Sequence, residues 1–414
     1  MEKIINKKKI FNDPVYGFVS VKSELIFDII QHTFFQRLRR IKQLGLADFV
    51  YPGAIHTRFH HAIGAMHLMN EALVHLQQKG VYLFDAEIEA AQIAILLHDI
   101  GHGPFSHALE HSILNSVPHE DVSLLLMERL NEQFEGRLEM AIQIFKKEYP
   151  RKFLCQLVSS QLDIDRMDYL QRDCYFTGVN EGAIGADRII KMLDVVDNQL
   201  VIEEKGIFSI ENFLNARRLM YWQVYLHKTS IAAEQMLISI FKRAKYLVND
   251  KEMSLFCSPA LKTFLQKDIG FEQLSTERGV LSSFAKLDDI DVWSAVKFWT
   301  DSEDLVLSFL CKSILARNLF KIEIANTQFD LDYVDHLSKQ LAQNNNLTML
   351  DVQYLILSGQ ATNEAYVSQG ESIRVKSKSG ELIDVAEASD LPNIKAISKL
   401  VTKHYIAYPK KLSL

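Results

Sequence analysis

The chain is poor in cysteine, in proline and in long apolar runs. Its four cysteines, Cys155, Cys174, Cys257 and Cys311, stand far apart among 414 residues. No two are spaced as a thiolate pair, so neither a disulfide framework nor a cysteine-based zinc site is expected, and a reducing cytoplasmic setting is. Only eight prolines are present, which leaves long stretches free to be helical. The longest apolar stretch, near Ala90–Leu97, is short and broken by Gln92, so no membrane-spanning helix is expected. The start, MEKIINKKKIF, lacks an apolar segment of the secretory kind. Positive charge is also short: 46 Lys+Arg stand against 52 Asp+Glu, a net −6. That balance gives no indication of nucleic-acid binding, yet leaves room for a local basic pocket that takes a phosphate-bearing ligand.

What is present is ordinary globular material, 48% hydrophobic and 24% charged. Residues 25 to 320 carry helical patterning. Ile63, Met66, Leu73 and Leu76 recur at helical spacing and stop at Gly80. A second helix is predicted over Ala86–Asp99 with Asp85 as its cap, ending before Gly101, and a third from about Pro118 to Phe134. Near residue 320 the pattern changes. FKIEI (320–324) alternates, YLIL (354–357) reads as a strand, and IRVKSKSGELIDV (373–385) reads as two strands about Ser379–Gly380. A helix is predicted between them at Tyr333–Leu341. The expectation is a mainly α protein: a helical body over 1–320 and a small α+β region over 321–414.

Three clusters carry chemistry. LLHDIGHGPFSH (96–107) puts three histidines and an aspartate behind an apolar run. His98 and Asp99 point about 100° apart on a helix, but an ion at the helix end can touch both. HTRFHH (56–61) supplies His56, His60 and His61. SQLDIDRMDYLQRD (160–173) sets Asp165, Tyr169 and Asp173 at i, i+4 and i+8, a stripe suited to a pocket wall, while Met167, Leu170 and Cys174 point toward core. Taken singly, each cluster also fits a blander role: a hydrogen-bonded core histidine, a cap or a solvated face. Mixed imidazole and carboxylate donors suit iron, manganese, nickel or zinc, and magnesium less comfortably.

The order H…HD…D resembles the HD-domain metal-dependent phosphohydrolases. FNDPVYGFV, FFQRLRRIKQLG, YPGAIHTRFHHAIG, HDIGHGPFSH and DIDRMDYLQRDC further resemble the deoxynucleoside triphosphate triphosphohydrolase branch. The resemblance covers roughly residues 9 to 230 and implies an HD-domain helical bundle with a divalent metal on His61, His98, Asp99 and Asp165. It implies that Arg58, Arg166 and Arg217 meet substrate phosphate. Gln43, Leu44, Tyr169, Asp173 and Tyr225 would line the sugar. His102, His107 and His119 would serve the phosphates and the departing proton, with Glu110 where the family has an aspartate. His107 is the expected nearest donor, supported by Glu110 and His119. Leu226 replaces a glutamine near the base, and Gln31 and Gln223 depart from the branch's activator site. The implied activity is hydrolysis of a dNTP to deoxynucleoside and triphosphate by a homo-oligomer. The same ligands would also serve a phosphomonoesterase or phosphodiesterase on another nucleotide, or a non-catalytic nucleotide sensor.

Overall fold

The computed structural model describes residues 9–363, 372–390 and 400–410, and leaves the side chains of His107, Glu110 and His111 outside the described residues. Three helices position the site. The central one, Arg58–Gln78, is buried along most of its circumference by Phe59, Ala62, Ile63, Met66, Met69, Leu73 and Leu76. Each large apolar side chain removed from water there contributes roughly 1.5–3 kcal/mol. The helix stops where the sequence suggests: Gly80 has φ +91°, and the Val81 N–H donates to the Leu76 carbonyl at 3.0 Å.

Asp85–Leu97 packs against it. Asp85, expected as the cap, lies instead inside the first turn, where a negative charge suits the helix dipole. The capping role falls to Glu87, whose carboxylate accepts the Phe84 N–H at 3.0 Å. Ile164–Thr177 packs on the central helix, started by Asp163 accepting the Arg166 N–H at 2.8 Å and stopped by Gly178 at φ +74°. Met167 and Leu170 are fully buried, as expected. Cys174 is only half-buried, because the short turn Asn180–Gly182, and not the central helix, covers it. The third predicted helix is observed at His119–Gln133.

The helical body also holds strands that its helical patterning hides. β1 (Lys9–Asp13) and β2 (Gly17–Val21) form a hairpin; β3 (Leu193–Val196) and β4 (Gln199–Glu203) form another. The second turns through Asp197 and Asn198 at φ +47° and +63°, the left-handed pair that a two-residue turn requires. Beyond residue 320 come β5 (Lys321–Ala325), the helix Leu331–Asn345, β6 (Leu357–Asn363), β7 (Arg374–Lys376), β8 (Leu382–Asp384) and β9 (Val401–Tyr408). The strand expected over YLIL begins only at Leu357. Tyr354 and Leu355 are instead buried, with the Tyr354 carbonyl accepting from Ser239 at 2.6 Å, so that apolar run marks burial. One sheet runs β5-β9-β6. The other runs β3-β4-β7-β8, with β4 and β7 parallel in the register Val201↔Arg374, so strands from both sides of residue 320 share it.

Candidate metal centre

Asp85–Leu97 ends just before the histidine–aspartate pair, and the break lets both side chains turn to one point. His98 Nε2 lies 3.4 Å from Asp99 Oδ1. The central helix brings His61, whose Nε2 is 3.3 Å from His98 Nε2. The Ile164–Thr177 helix brings Asp165, whose Oδ1 is 3.1 Å from His61 Nε2 and 3.3 Å from His98 Nε2. Asp99 Oδ2 stands 3.8 Å from His61 Nε2. All but Asp165 are buried; its side chain is 27% exposed, which leaves one open side.

The chemistry of this donor set fits a cation. His61 Nδ1 faces Asp168 Oδ2 at 2.8 Å and His98 Nδ1 faces the Ile95 carbonyl at 2.6 Å. Both partners are acceptors, so each ring carries a proton on Nδ1 and leaves Nε2 facing the other ring and two carboxylates, where a cation can take the place of a second proton. Ligand atoms about 2.1 Å from one ion stand roughly 3.0–3.4 Å from each other, the spacing seen among His61, His98 and Asp165 and between His98 and Asp99, with Asp99 and His61 slightly wider. Electrostatics point the same way. Burial pushes the His61 imidazole down, but Asp165 and Asp168 outweigh it and carry it up to about 10. Burial likewise opposes, and Asp99 and Asp165 overcome, in raising His98. Burial opposes ionisation of Asp165, but His98 and His61 hold its carboxyl well below the usual carboxylate range. The corner favours positive charge. His61, His98 and Asp99 form a group that could hold a metal ion, and HD domains bind divalent metals.

Asp168 and Arg172, which the sequence reading passed over, fix His61 from behind. Arg172 donates to both Asp168 oxygens at 2.9 Å, a bidentate pair with neither side chain exposed. The pair fits against the central helix because residue 64 has no side chain. A Cβ there would stand 2.0 Å from Arg172 Nη2 and 2.2 Å from Asp168 Oδ1. Gly64→Ala is therefore expected to destabilise the fold by about 1–3 kcal/mol and to weaken metal binding, checked by chemical denaturation and metal titration.

Around the corner, Arg58 pairs with Asp99 and donates from Nε to Ser106 Oγ at 2.8 Å. It is thus held at the ion site by a candidate ligand of the metal. His102 Nε2 lies 3.5 Å from Asp99 Oδ1, and its ring stacks on that of His119 with centroids 3.8 Å apart. Burial first, then Arg58, push His102 well below the usual imidazole range, so it is neutral near pH 7. The fully buried Arg37 donates to the carbonyls of Ile100 and His102, at 2.7 and 2.9 Å, and fixes their loop. His107 and Glu110 belong to the helix His107–Ile113, but where their side chains go lies outside the described residues.

The stripe Asp165, Tyr169, Asp173 runs away from the ion corner. Tyr169 lies in the field of Arg166, Arg217, Tyr221 and Asp165, and burial raises its phenol far above the usual value. Arg166 bonds Asp163 and the Ser160 carbonyl, the latter at 2.6 Å; Arg217 reaches Gln161 at 3.3 Å. Asp173 accepts from Tyr225 at 2.9 Å and faces His56 Nε2 at 2.7 Å. Tyr225 closes a π-helical turn, Tyr221–Tyr225, a wide turn that recurs at functional sites. Gln43 and Leu44 lie on the adjoining segment, where the Gln43 N–H donates to the His56 carbonyl at 3.0 Å. His56, unassigned from sequence, is thereby the fastener between that segment and Asp173.

The HD domain family model matches residues 58–173, and the HD associated region model matches residues 184–255. Among known proteins, the uncharacterized protein YwfO of Bacillus subtilis is 31% identical over 99% of this chain and 94% of its own length. The human deoxynucleoside triphosphate triphosphohydrolase SAMHD1 is 27% identical over 84% of this chain and 61% of its own. Among solved structures, a phosphohydrolase from Bacteroides thetaiotaomicron is 51% identical and superposes with a TM-score of 0.94, covering 98% of this chain and all of that one. With the HD-domain match lying across all four converging side chains and relatives of this extent, the chain belongs to the HD-domain phosphohydrolases.

Proposed function

We propose that the protein hydrolyses deoxynucleoside triphosphates at the α-phosphorus, releasing deoxynucleoside and inorganic triphosphate. The observation that carries this reading is two buried guanidinium N–H groups without a partner, on arginines whose charges both act on Tyr169. Among the described residues, Arg166 Nε and Arg217 Nε have no hydrogen-bond partner, and Gln43 Oε1 is also unpaired. Buried polar atoms rarely stay unpaired unless a ligand completes them, and guanidinium N–H groups call for an anion. A polyphosphate spanning from the His61–Asp99 corner toward Arg217 supplies that anion.

A divalent ion on His61, His98, Asp99 and Asp165 would polarise a phosphoryl oxygen and acidify water. The chain's own groups do the rest. Arg58, Arg166 and Arg217 neutralise charge on the phosphates. Water oxygen bonds to the α-phosphorus as the bond to the 5′-oxygen breaks, and that oxygen takes a proton from His107, supported by Glu110 and His119, while the neutral His102 serves the phosphates. Tyr169 packs on the sugar where a 2′-hydroxyl would project, and Asp173, with Tyr225, accepts from the 3′-hydroxyl. Gln43 and Leu44 close the sugar end. The relationship to a human enzyme named for this reaction supports the substrate class.

Product identification tests the reading. Incubation with each dNTP and with manganese, iron, nickel, zinc or magnesium is expected to yield triphosphate and deoxynucleoside in equal amounts, read by ³¹P NMR. Release of orthophosphate alone would replace the triphosphohydrolase with a phosphomonoesterase. A homo-oligomer is part of the same proposal and is read from scattering mass.

A further inference from the structure

The Asp168–Arg172 pair behind His61 does not end at Arg172. Arg172 Nη1 donates to Asp13 Oδ2 at 2.8 Å. Asp13 is the last residue of β1, more than forty residues before His61 in the chain and outside the segment matched by the HD domain model. Its side chain is 3% exposed and that of Arg172 is 0%. The other oxygen of Asp13 accepts the N–H groups of Val15 and Tyr16, at 2.9 and 3.0 Å, and so pins the hairpin turn. The Tyr16 ring lies 5.5 Å from the Arg172 guanidinium. A continuous buried chain thus runs from the hairpin turn through Arg172 and Asp168 to His61 Nδ1.

We propose that Asp13 is a positioning residue for the metal centre, setting the donor strength of His61 from the hairpin. The sign follows from charge. Were Arg172 paired with Asp168 alone, the guanidinium would neutralise that carboxylate and weaken it as an acceptor. With Asp13 sharing Arg172, the group of three carries a net negative charge, and Asp168 keeps enough of it to accept strongly from His61 Nδ1–H. A stronger bond at Nδ1 makes Nε2 a better ligand. Coupling is reciprocal, so a bound metal should also steady the hairpin.

The inference rests on the reading of His61 as a metal ligand, and the test separates the two. Metal affinity is measured by chelator competition on the full chain, without reference to turnover, for wild type, Asp13→Asn, Asp168→Asn and the double variant. If wild type binds no divalent metal, the metal-centre reading fails and this inference with it. If wild type binds, Asp13→Asn is expected to weaken affinity about ten-fold, and to change nothing further once Asp168 is already Asn. Affinity within two-fold of wild type, or an equal loss in both backgrounds, overturns the proposal and leaves the metal centre standing. Asp13→Glu, which restores the charge, is expected to recover most of the loss. Should Asp13→Asn not fold, hydrogen exchange on wild type decides. Slower exchange across residues 9–21 on metal loading supports the link, and unchanged exchange overturns it.

Discussion

Asp99→Ala is expected to leave a folded protein that retains less than about a tenth of its bound metal and has lost at least about 10³-fold in kcat/KM, the scale of a lost Lewis-acid contribution of several kcal/mol. Asp99 is the hinge of the site. One oxygen faces His98 and His102, at 3.4 and 3.5 Å, and the other pairs with Arg58. Burial alone would raise this carboxyl, but His98, then Arg58 and His102, hold it well below the usual range, so it is ionised at neutral pH. Linkage gives the sign: a depressed carboxylate contributes stability above its unfolded pKa and loses it as pH falls through the lower folded one. Truncation to alanine removes a proposed ligand and also strands a buried guanidinium, so a drop in melting temperature should accompany the loss of metal. Elemental analysis and calorimetry on one sample read both. Metal retained at wild-type stoichiometry would take Asp99 out of the ligand set.

Arg172→Met should have the largest effect on stability. The substitution keeps an apolar stem of similar length but leaves the carboxylates of Asp168 and Asp13 buried without their cation. Breaking such a pair from one side costs about 3–5 kcal/mol, against a total of 5–15 kcal/mol for a typical domain. Among Arg172's neighbours, Asp168 is held below its usual value chiefly by Arg172, against its own burial. In the variant that support is gone, and Asp168 should titrate at higher pH. Denaturation midpoints at pH 5 and pH 8 should therefore differ more from wild type at pH 8, where the orphaned carboxylates stay charged. A uniform loss at both pH values would point to packing instead of charge.

The sequence points well to the four side chains that converge, and poorly to their supports, for a physical reason. His61, His98, Asp99 and Asp165 are residue types with few uses at the edge of an apolar helix, and the pair HD is unusual enough to anchor the rest. Asp168 and Arg172 differ: an acid and a base four apart on a helix read as an ordinary solvated face. Only the packing of that face against the central helix, over a glycine that also looks incidental, turns them into a buried pair. The strand of YLIL was misplaced because a short apolar run looks the same whether it lies in a sheet or under one. The hairpins at residues 9–21 and 193–203 escape because each has short strands with mixed polarity. The mainly helical class was legible because long periodic stretches with little proline dominate the chain.

The mixed sheet β3-β4-β7-β8 has a consequence for any attempt to shorten the protein. β4 is flanked on one side by β3 and on the other by β7, which comes from far along the chain. Cutting after residue 320 would strip β7 and β8 away and bare the outer backbone of β4, along with the buried Val201 and Ile202 beside it. An unpaired rim of N–H and C=O groups next to apolar side chains is a template for sticking to other chains. Insolubility of such a fragment would report on that raw edge and say nothing about whether the tail takes part in chemistry.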